Sequence, residues 1–189
     1  MWPVKASGKT GKPCVIMIPH MRSWSPEDPF LYDLHVRMGE DSVESYFAMR
    51  KVEVKNDKEG MPRIFLNNEP YFEKGVLDQG YWPDGLYTPP CDEAMIYDIQ
   101  KMKDLGFNMI RKHIKIEPQR WYYHCDRIGM LVWQDMVNGG RDYKSWYVTY
   151  MATAMEGMHI RAKDTRIHLM GRQDPAGQRQ FEKEMKETV

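Results

Sequence analysis

Between Val76 and Trp133 the sequence alternates short apolar runs with helical patterns, and this alternation restricts the fold more than any other feature. Strands are predicted at Gly75–Leu77, Asn108–Arg111 and Met130–Trp133, and helices at Asp92–Leu105 and Glu117–Ile128. Strands that alternate with helices favour a parallel sheet, because each helix carries the chain back across it. The third strand is apolar throughout, as expected when both faces of a parallel sheet are covered. The pattern predicts the first part of a parallel α/β barrel.

The residues before this alternation have a β-rich pattern. Val15–Ile18 is a short apolar strand that Pro19 would stop, and Tyr32–Met38 places apolar residues at alternate positions. A second strand is predicted from Val43 to Val54, with Val52 and Val54 pointing inward. These strands predict an antiparallel pair of the sandwich kind, but they are too few to bury both sheets.

A polar stretch, Asn56–Gly60, predicts a domain boundary, which gives domains at residues 1–57 and 58–189. A small hairpin follows, in which Ile64–Leu66 pairs with Glu69–Phe72 across Asn67 and Asn68. Asparagine tolerates the positive φ angles that such a tight turn requires.

Charge and composition exclude some classes of partner. The formal net charge is zero and the isoelectric point is about 7.0, so no electrostatic field attracts nucleic acid or an anionic membrane surface. No apolar run approaches the roughly 18 residues that span a bilayer, and the N-terminus lacks the apolar core of a signal peptide. Three cysteines without a CxxC pair are expected to be reduced, which favours a cytoplasmic setting.

Motifs for metals and cofactors are missing from the sequence. The six histidines show no HxH or HxxxH spacing. There is no GxGxxG, no phosphate-binding P-loop and no GxSxG motif. The sequence therefore predicts neither a metal nor a cofactor.

Polar side chains follow each of the three strands of the alternating region. These clusters are Asp78 with Gln79, Arg111 with His113, and Gln134 with Asp135. Because the carboxyl ends of parallel barrel strands point to the same rim, these side chains are expected to meet there. Acids, amides and an arginine can bind sugar hydroxyls, and aromatic rings can stack on the C–H face of a sugar. The predicted sugar-facing residues are Asp78, Gln79, Arg111, His113 and Asp135, with Tyr81 or Trp82 as the stacking platform.

Each of these assignments has a structural alternative. Arg111 and Asp135 could form a mutual ion pair that closes the top of the barrel, and His113 could be a core histidine. The aromatic stretch after the first strand could be an ordinary loop. The long segment from Met136 to about Gln173, rich in tyrosine, could be a substrate lid or a packed loop.

Ordered motifs from about Trp24 to the end of the chain resemble glycoside hydrolase family 2, the family of β-galactosidases, β-glucuronidases and β-mannosidases. They are WSPEDPFLYDLHV, SYFAMRKVEV, LNNEPYF, GVLDQGYWPDGLYT, FNMIRKHIKIEP, YYHCDRIGMLVWQDM and NGG. The resemblance implies that the residues before about 57 end an immunoglobulin-like β-sandwich. It implies that the rest begins a (β/α)₈ TIM barrel, with about three of its βα units.

The resemblance also implies an activity for a longer parent enzyme. Members of the family hydrolyse β-glycosides with retention, using two glutamates, and neither of the strands that carry them is expected in this chain. The only Asn-Glu pair, Asn68-Glu69, lies in the hairpin turn before the barrel. No catalytic residue is therefore assigned here, and Arg111 is expected to orient a carboxylate of the site.

Three positions depart from the usual family pattern. Ala48 and Asn68 stand where glycine is usual, and Cys91 stands where a serine or threonine would cap the first helix. A larger departure is that too few βα units are present to close a barrel. The chain alone is therefore expected to lack hydrolytic activity and to have an open apolar edge through which it could self-associate. The alternative function is a non-catalytic carbohydrate-binding or assembly module.

Overall fold

The structure is a computed structural model that describes residues 4–137, 141–154 and 167–188. In chain order the elements are β1 (Tyr32–Met38), β2 (Asp41–Phe47), β3 (Val52–Asn56), β4 (Pro62–Leu66), β5 (Glu69–Pro70), β6 (Gly75–Asp78), α1 (Asp92–Asp104), β7 (Met109–Lys112), α2 (Gln119–Ile128), β8 (Leu131–Gln134), a short π-helix (Trp146–Met151), α3 (Ala152–Ala154) and α4 (Pro175–Thr188). Contacts divide the chain into two compact units. The first contains residues 1–76, 90–110 and 119–132, and the second contains residues 77–89, 111–118 and 133–189.

The predicted alternation of strands and helices is confirmed. Strands β6, β7 and β8 form one sheet in that order, and the connections between them are α1 and α2. The N–H of Asn108 donates to the backbone oxygen of Lys74, and the N–H of His113 donates to that of Asp78. Because the residue numbers of β6 and β7 increase in the same direction along these hydrogen bonds, the two strands are parallel. Element ends lie within one or two residues of the predictions.

The helices begin and end where the sequence pattern indicates. Helix α1 has two acidic residues in its first turn and two lysines in its last, an arrangement that complements the helix dipole. Gly106 follows it with a φ of +88°, and Gly129 follows α2 with a φ of +85°. Met95 and Ile99 of α1 are buried, as are Trp121 and Cys125 of α2, so apolar faces of both helices lie in the core of the first unit.

The N-terminal strands pair differently from the prediction. Strand β1 pairs with β2, with Val36 opposite Val43, but β2 ends at Phe47. Strand β3 belongs to another sheet, in the order β3-β4-β5, so the single predicted strand Val43–Val54 is wrong. The partner of each strand decides this division, and alternation within one segment carries no information about partners.

The strand predicted at Val15–Ile18 is also wrong. The segment is non-regular and largely exposed, and it pairs with no strand among the described residues. A short apolar run gains strand structure only when a neighbouring strand satisfies its backbone groups. Apolar composition alone was therefore a weak signal at this position.

The predicted orientation of β3 is reversed. Val52 and Val54 are 59% and 72% exposed, whereas Glu53 between them is half-buried. Lys51 and Lys55 each lie 2.8 Å from a carboxylate oxygen of Glu53, and the ammonium of Lys55 lies over the ring of Phe65. These contacts place the charged residues of β3 on the better packed face, because lysine stems can cover apolar surface while their charges pair.

The small hairpin is confirmed. Asn67 and Asn68 join β4 to β5 with φ angles of +52° and +73°. The predicted boundary at residue 57 falls in the turn between β3 and β4, where the carboxylate of Asp57 accepts N–H groups of Glu59 and Met61. The division into domains at 1–57 and 58–189 stays a prediction.

Within the first unit, Asp126 on α2 joins the N-terminal residues to this helix. Its carboxylate accepts the hydroxyl of Tyr46 at 3.0 Å and the guanidinium of Arg50 at 2.9 Å. Its backbone oxygen accepts the indole N–H of the buried Trp24 at 2.7 Å. Burial and the nearby Asp126 raise the pKa of Tyr46 to about 12.

Strand β8 is less covered than predicted. Trp133 is 45% exposed, and the other residues of this strand are half-buried. The expectation that both faces are covered is wrong for the part of the chain described, where the sheet has three strands. Two stretches of the predicted loop at 136–173, residues 138–140 and 155–166, lie outside the described residues. In the described part of the chain, no helix combines the length and apolar composition that crossing a membrane requires.

Candidate functional site

The carboxyl ends of β6, β7 and β8 bring polar residues together. Asp78, Lys112 and Gln134 are the last residues of these strands. Just beyond them, the N–H of His113 donates to the backbone oxygen of Asp78 at 2.9 Å, and the N–H of Asp135 donates to that of Lys112 at 3.1 Å. The three predicted polar clusters therefore lie on adjacent strand ends, in the second unit.

A buried ionic network lies at these strand ends. The side chain of Lys112 is 1% exposed, and its ammonium lies 2.6 Å from Asp78 Oδ2 and 2.9 Å from Glu117 Oε1. The ammonium of Lys115 lies 2.8 Å from the same Glu117 oxygen. Two positive and two negative groups balance in this network, which is the condition under which charged groups are tolerated in a protein interior.

Asp78 is bound to the protein through both carboxylate oxygens. Oδ2 accepts a hydrogen bond from the ammonium of Lys112, and Oδ1 accepts one from the backbone N–H of Gly80 at 2.7 Å. The backbone oxygen of Gly80 accepts the ammonium of Lys115 at 2.6 Å. Asp78, predicted to face a sugar, therefore holds the peptide of Gly80 against the network.

Two residues with positive φ make this arrangement possible. Gly80 has a φ of +66°, and a Cβ there would lie 2.4 Å from Glu117 Oε1 and 2.8 Å from Lys112 Nζ. Ile114 has a φ of +48°, which is rare for a β-branched residue. An extended strand would point Lys112 and Lys115 to opposite faces, and the turn at Ile114 brings both ammonium groups to Glu117.

Arg111 and Asp135 form a two-pronged ion pair beside the network. Arg111 Nε lies 3.1 Å from Asp135 Oδ1, and its terminal nitrogen lies 3.0 Å from Oδ2. The structure therefore shows the mutual pair that the sequence left as an alternative. Hydrogen bonds from the guanidinium hold the pKa of Asp135 below its usual value, and they raise the pKa of Arg111.

His113 lies next to this pair and is half-buried. Its charge also acts to lower the pKa of Asp135. A fully enclosed core histidine, the alternative considered for this position, does not fit its partial exposure. Arg111 and Asp135 thus form an ion pair that solvent still reaches, with His113 beside it.

The stretch after β6 forms a tight aromatic hairpin, residues 81–87. Trp82 and Leu86 exchange backbone hydrogen bonds of 2.8 and 3.0 Å. The hydroxyls of Tyr81 and Tyr87 lie 3.2 Å apart, and the two side chains are 58% and 60% exposed. Trp82 is half-buried, so the tyrosines provide the more accessible rings.

Two polar residues at the rim differ in what they contact. The side chain of Gln134 donates to the backbone oxygens of Lys115 and Asp135, at 2.8 and 2.7 Å, so it orders the segment around it. Gln79 is exposed. The rim thus combines exposed polar and aromatic groups with a buried ionic base.

Reasoning from the sequence missed Lys112, Lys115, Glu117 and Gly80. A lysine in a strand usually lies on a solvated face, so neither lysine drew attention. The available signal was the close spacing of two lysines and a glutamate directly after a strand end. Among the described residues, no group of three or more histidine, cysteine, aspartate or glutamate side chains could hold a metal ion.

The fold and the site define a class of protein. Parallel βα units with polar and aromatic groups at their carboxyl strand ends are the arrangement found in βα-barrel proteins. The groups at these strand ends can form hydrogen bonds and ring-stacking contacts.

Comparisons with known proteins agree with this class. A β-galactosidase of Leuconostoc mesenteroides is 34% identical over 114 residues, which cover 57% of this chain and 10% of that enzyme. The structure of a GH2 β-galacturonidase from Eisenbergiella tayi bound to glycerol has a TM-score of 0.57 at 28% identity, covering 66% of this chain and 21% of that one. A β-glucuronidase of Parabacteroides merdae shares the fold, with a TM-score of 0.55 at 23% identity, covering 68% and 17%. No family model matches the chain.

By these relatives and this fold, the chain is similar to part of the glycoside hydrolases of family 2. It spans about a tenth of the length of the curated relatives it matches.

Proposed function

We propose that this chain is a segment of a retaining β-glycosidase and that its strand-end residues form one side of the sugar-binding pocket. The observation that carries this proposal is the solvent-reached ion pair of Arg111 and Asp135, on the same rim as the exposed rings of Tyr81 and Tyr87. Carboxylate and guanidinium groups can each make paired hydrogen bonds to neighbouring sugar hydroxyls. The tyrosine rings can cover the apolar face of the sugar.

The residues of this chain would bind and orient rather than perform the chemical step. A retaining glycosidase uses two carboxylates about 5–5.5 Å apart, one as acid and one as nucleophile. Both glutamates are expected on strands that this chain does not contain. Asp135 would accept hydrogen bonds from sugar hydroxyls, and Arg111 would hold Asp135 ionised and correctly oriented. Gln79 and His113 would add further hydrogen bonds at the rim.

The proposed ligand class is a β-linked hexose or hexuronic acid. The names of the relatives include β-galactosidase, β-galacturonidase and β-glucuronidase, so neutral and acidic sugars both occur among them. Within this segment Arg111 is paired with Asp135, which favours hydroxyl recognition over recognition of a sugar carboxylate. Cytoplasmic placement and the absence of nucleic-acid partners remain predictions from the sequence.

Saturation-transfer NMR on the purified chain tests the proposal. Methyl β-D-galactoside and galacturonate are the probes, and weak but saturable binding is expected. Asp135→Asn should weaken binding of the methyl galactoside about tenfold, since paired hydrogen bonds from a charged group are lost. Asp41→Asn, at an exposed aspartate on β2, is the matched control and should bind as the wild type does. Equal binding by all three proteins would contradict the proposed site.

We also expect the chain alone to release no nitrophenol from nitrophenyl β-glycosides, because both catalytic glutamates would lie elsewhere. Turnover that survives purification would contradict this part of the proposal. Asp135→Asn belongs in the same assay, since it separates any genuine activity of this site from a contaminating enzyme.

A non-catalytic module is the second candidate, favoured by the partly exposed strand β8. Such a module would bind sugar at the same rim and cover the edge of β8 by assembling with a second copy. A soluble monomer with millimolar sugar affinity would favour binding alone, and a concentration-dependent oligomer would favour assembly. Insoluble aggregation would favour a segment that needs the rest of a barrel.

A further inference from the structure

We propose that Lys112 is a positioning residue which, through Glu117 and Lys115, fixes the aromatic hairpin 81–87 for ligand binding. The inference rests on the proposed function, since it assigns how one part of that binding face is held. It concerns residues that would not touch the sugar. Their effect would pass through the backbone of Gly80.

The contacts form a continuous chain from the strand ends to the hairpin. Lys112 Nζ bridges Asp78 Oδ2 and Glu117 Oε1, at 2.6 and 2.9 Å. Asp78 Oδ1 then accepts the N–H of Gly80, and Lys115 Nζ donates to the oxygen of the same residue. The peptide groups on both sides of the Gly80 Cα are thus held by the network. Tyr81 follows directly in the chain.

The fit around Gly80 is too close for a side chain. A Cβ there would lie 2.4 Å from Glu117 Oε1, 2.8 Å from Lys112 Nζ and 3.0 Å from Lys115 Nζ. Close approach of a backbone to fixed charged groups is a reason for glycine at such a site. The backbone at Gly80 therefore lies in close contact with the charged groups of the network.

The network also reaches the far side of the hairpin. Lys115 Nζ lies 6.0 Å from the ring centre of Tyr87, at the outer limit of a cation–π contact. The hydroxyl of Tyr87 meets that of Tyr81 at 3.2 Å. Both exposed rings are thus within one or two contacts of the buried ions, so displacement of the ions should displace the rings.

The buried ion pairs of Lys112 fit a positioning role better than a purely stabilising one. Buried ion pairs often add little stability compared with apolar residues of the same volume, but they define geometry. The backbone at Ile114 takes a strained φ of +48°, and this brings Lys115 to Glu117. A strained backbone that supports a buried network at a strand end is the pattern of a built binding site.

The test compares two lysines that are held by several oxygens. Lys112→Met removes the ammonium of the network. Lys103→Met is the matched control, because Lys103 Nζ in the first unit also donates to backbone oxygens, those of Pro26 and Gly129. Three quantities are measured for each variant: thermal unfolding, the NMR signals of selectively labelled tyrosine rings, and affinity for methyl β-D-galactoside.

We expect Lys112→Met to shift the ring signals of Tyr81 and Tyr87, assigned through Tyr81→Phe and Tyr87→Phe, and to weaken sugar binding about tenfold, since misplaced groups lose binding energy. Lys103→Met should lower the unfolding temperature but leave ring signals and affinity unchanged. Unchanged ring signals and affinity in Lys112→Met would overturn the proposal. So would equal effects of the two variants on affinity.

Two further outcomes are separable. If the wild-type chain binds no sugar, the proposed function fails, while the ring signals of Lys112→Met still decide whether the network holds the hairpin. If Lys112→Met does not fold, Glu117→Gln keeps the shape of the side chain and removes one charge. A folded Glu117→Gln variant should show the same ring shifts at smaller amplitude, and their absence would overturn the positioning role.

Discussion

At Ile114 the chain adopts a conformation that few β-branched residues adopt. A residue held at such a φ costs about 1–3 kcal/mol. The side chain is 39% exposed, so only part of its apolar surface is buried and its removal costs correspondingly less. The strain thus accompanies the turn that brings Lys115 to the network, and it is confined to one residue.

Ile114→Gly should therefore raise the free energy of unfolding by about 1 kcal/mol. Glycine adopts a positive φ without strain, and this gain exceeds the added freedom of the unfolded chain. Urea unfolding measures the change. The control is Ile116→Gly, at a similarly exposed isoleucine without a positive φ, which should be destabilising. A loss of stability in both variants would show that Ile114 is not strained.

Asp135 makes the stability of the chain depend on pH. The hydrogen bonds from Arg111 lower the pKa of Asp135 below its usual 3.8, so the folded carboxyl group binds a proton less readily than the unfolded one. The stabilising contribution of the ionised Asp135 is therefore complete at pH values above 3.8. It is lost as the pH falls through the lowered pKa of the folded state. Because the arginine is half exposed, the effect is small.

Between about pH 6 and about pH 2, the wild type should thus lose more stability than Asp135→Asn, which has no carboxyl group to protonate at this position. Chemical unfolding at several pH values measures the difference between the two proteins. If the free energies of unfolding of the two proteins change with pH in parallel across this range, the stabilising interaction of Asp135 with Arg111 is contradicted. Asp41→Asn serves again as the control and should follow the wild type.

Tyr46 on strand β2 donates its hydroxyl to Asp126 on helix α2 at 3.0 Å. The pKa of Tyr46 is raised from 10.0 to about 12, so the folded state holds this proton more tightly than the unfolded state. The contribution is complete below pH 10 and is lost as the pH rises to about 12.

Tyr46→Phe should abolish this part of the alkaline loss of stability. The variant is expected to be less stable than the wild type near neutral pH, by about 1 kcal/mol for the lost hydrogen bond, and the gap should narrow above pH 10. Thermal unfolding at several pH values from neutral to alkaline measures the difference in stability between Tyr46→Phe and the wild type. Tyr97→Phe on the exposed side of α1 is the control and should leave the whole curve unchanged.

The elements that the sequence predicted well are those encoded locally. Periodic apolar residues and a glycine stop define α1 and α2 within a residue or two, and short apolar runs define β6 to β8. Strands β2 and β3 were merged because their separation depends on different partners. The alternation at Val52 and Val54 gave the period of the strand but not which face is buried.

The site was predicted in part for the same reason. The positions of Asp78, Arg111 and Asp135 at neighbouring strand ends were predicted because polar residues after parallel strands meet at one edge, and their role in binding stays a prediction. The roles of Lys112 and Glu117 could not be predicted, since their partners come from another strand end and a later turn. The positive φ of Ile114, which brings these groups together, has no sequence signal in an isoleucine.

At the scale of the whole molecule, the edge of β8 is the exposed feature with the clearest consequence. Among the residues that the structure describes, no strand pairs with the outer edge of β8, and Trp133 on this strand is 45% exposed. Unpaired strand edges with apolar side chains associate with other chains. We expect the chain to form larger species as its concentration rises. Trp133→Lys should reduce this association severalfold, because a charged side chain on an edge strand opposes edge pairing.

Analytical ultracentrifugation measures the distribution of species. Trp146→Lys, at another exposed tryptophan in the short π-helix, is the matched control and should associate as the wild type does. Equal reduction by both variants would mean that general charge, and not the edge of β8, governs association. A wild-type chain that stays monomeric at all concentrations would contradict the open edge.

The burial of Lys112 has a consequence for behaviour in salt. The Debye length falls from about 10 Å at 0.1 M to about 3 Å at 1 M salt, so concentrated salt weakens ion pairs that solvent reaches but screens buried pairs much less. The network beneath Gly80 should therefore keep its geometry in concentrated salt, while the half-exposed Arg111–Asp135 pair weakens. The ionic-strength dependence of ligand affinity would thus report on the exposed pair alone, with the hairpin beside it held constant.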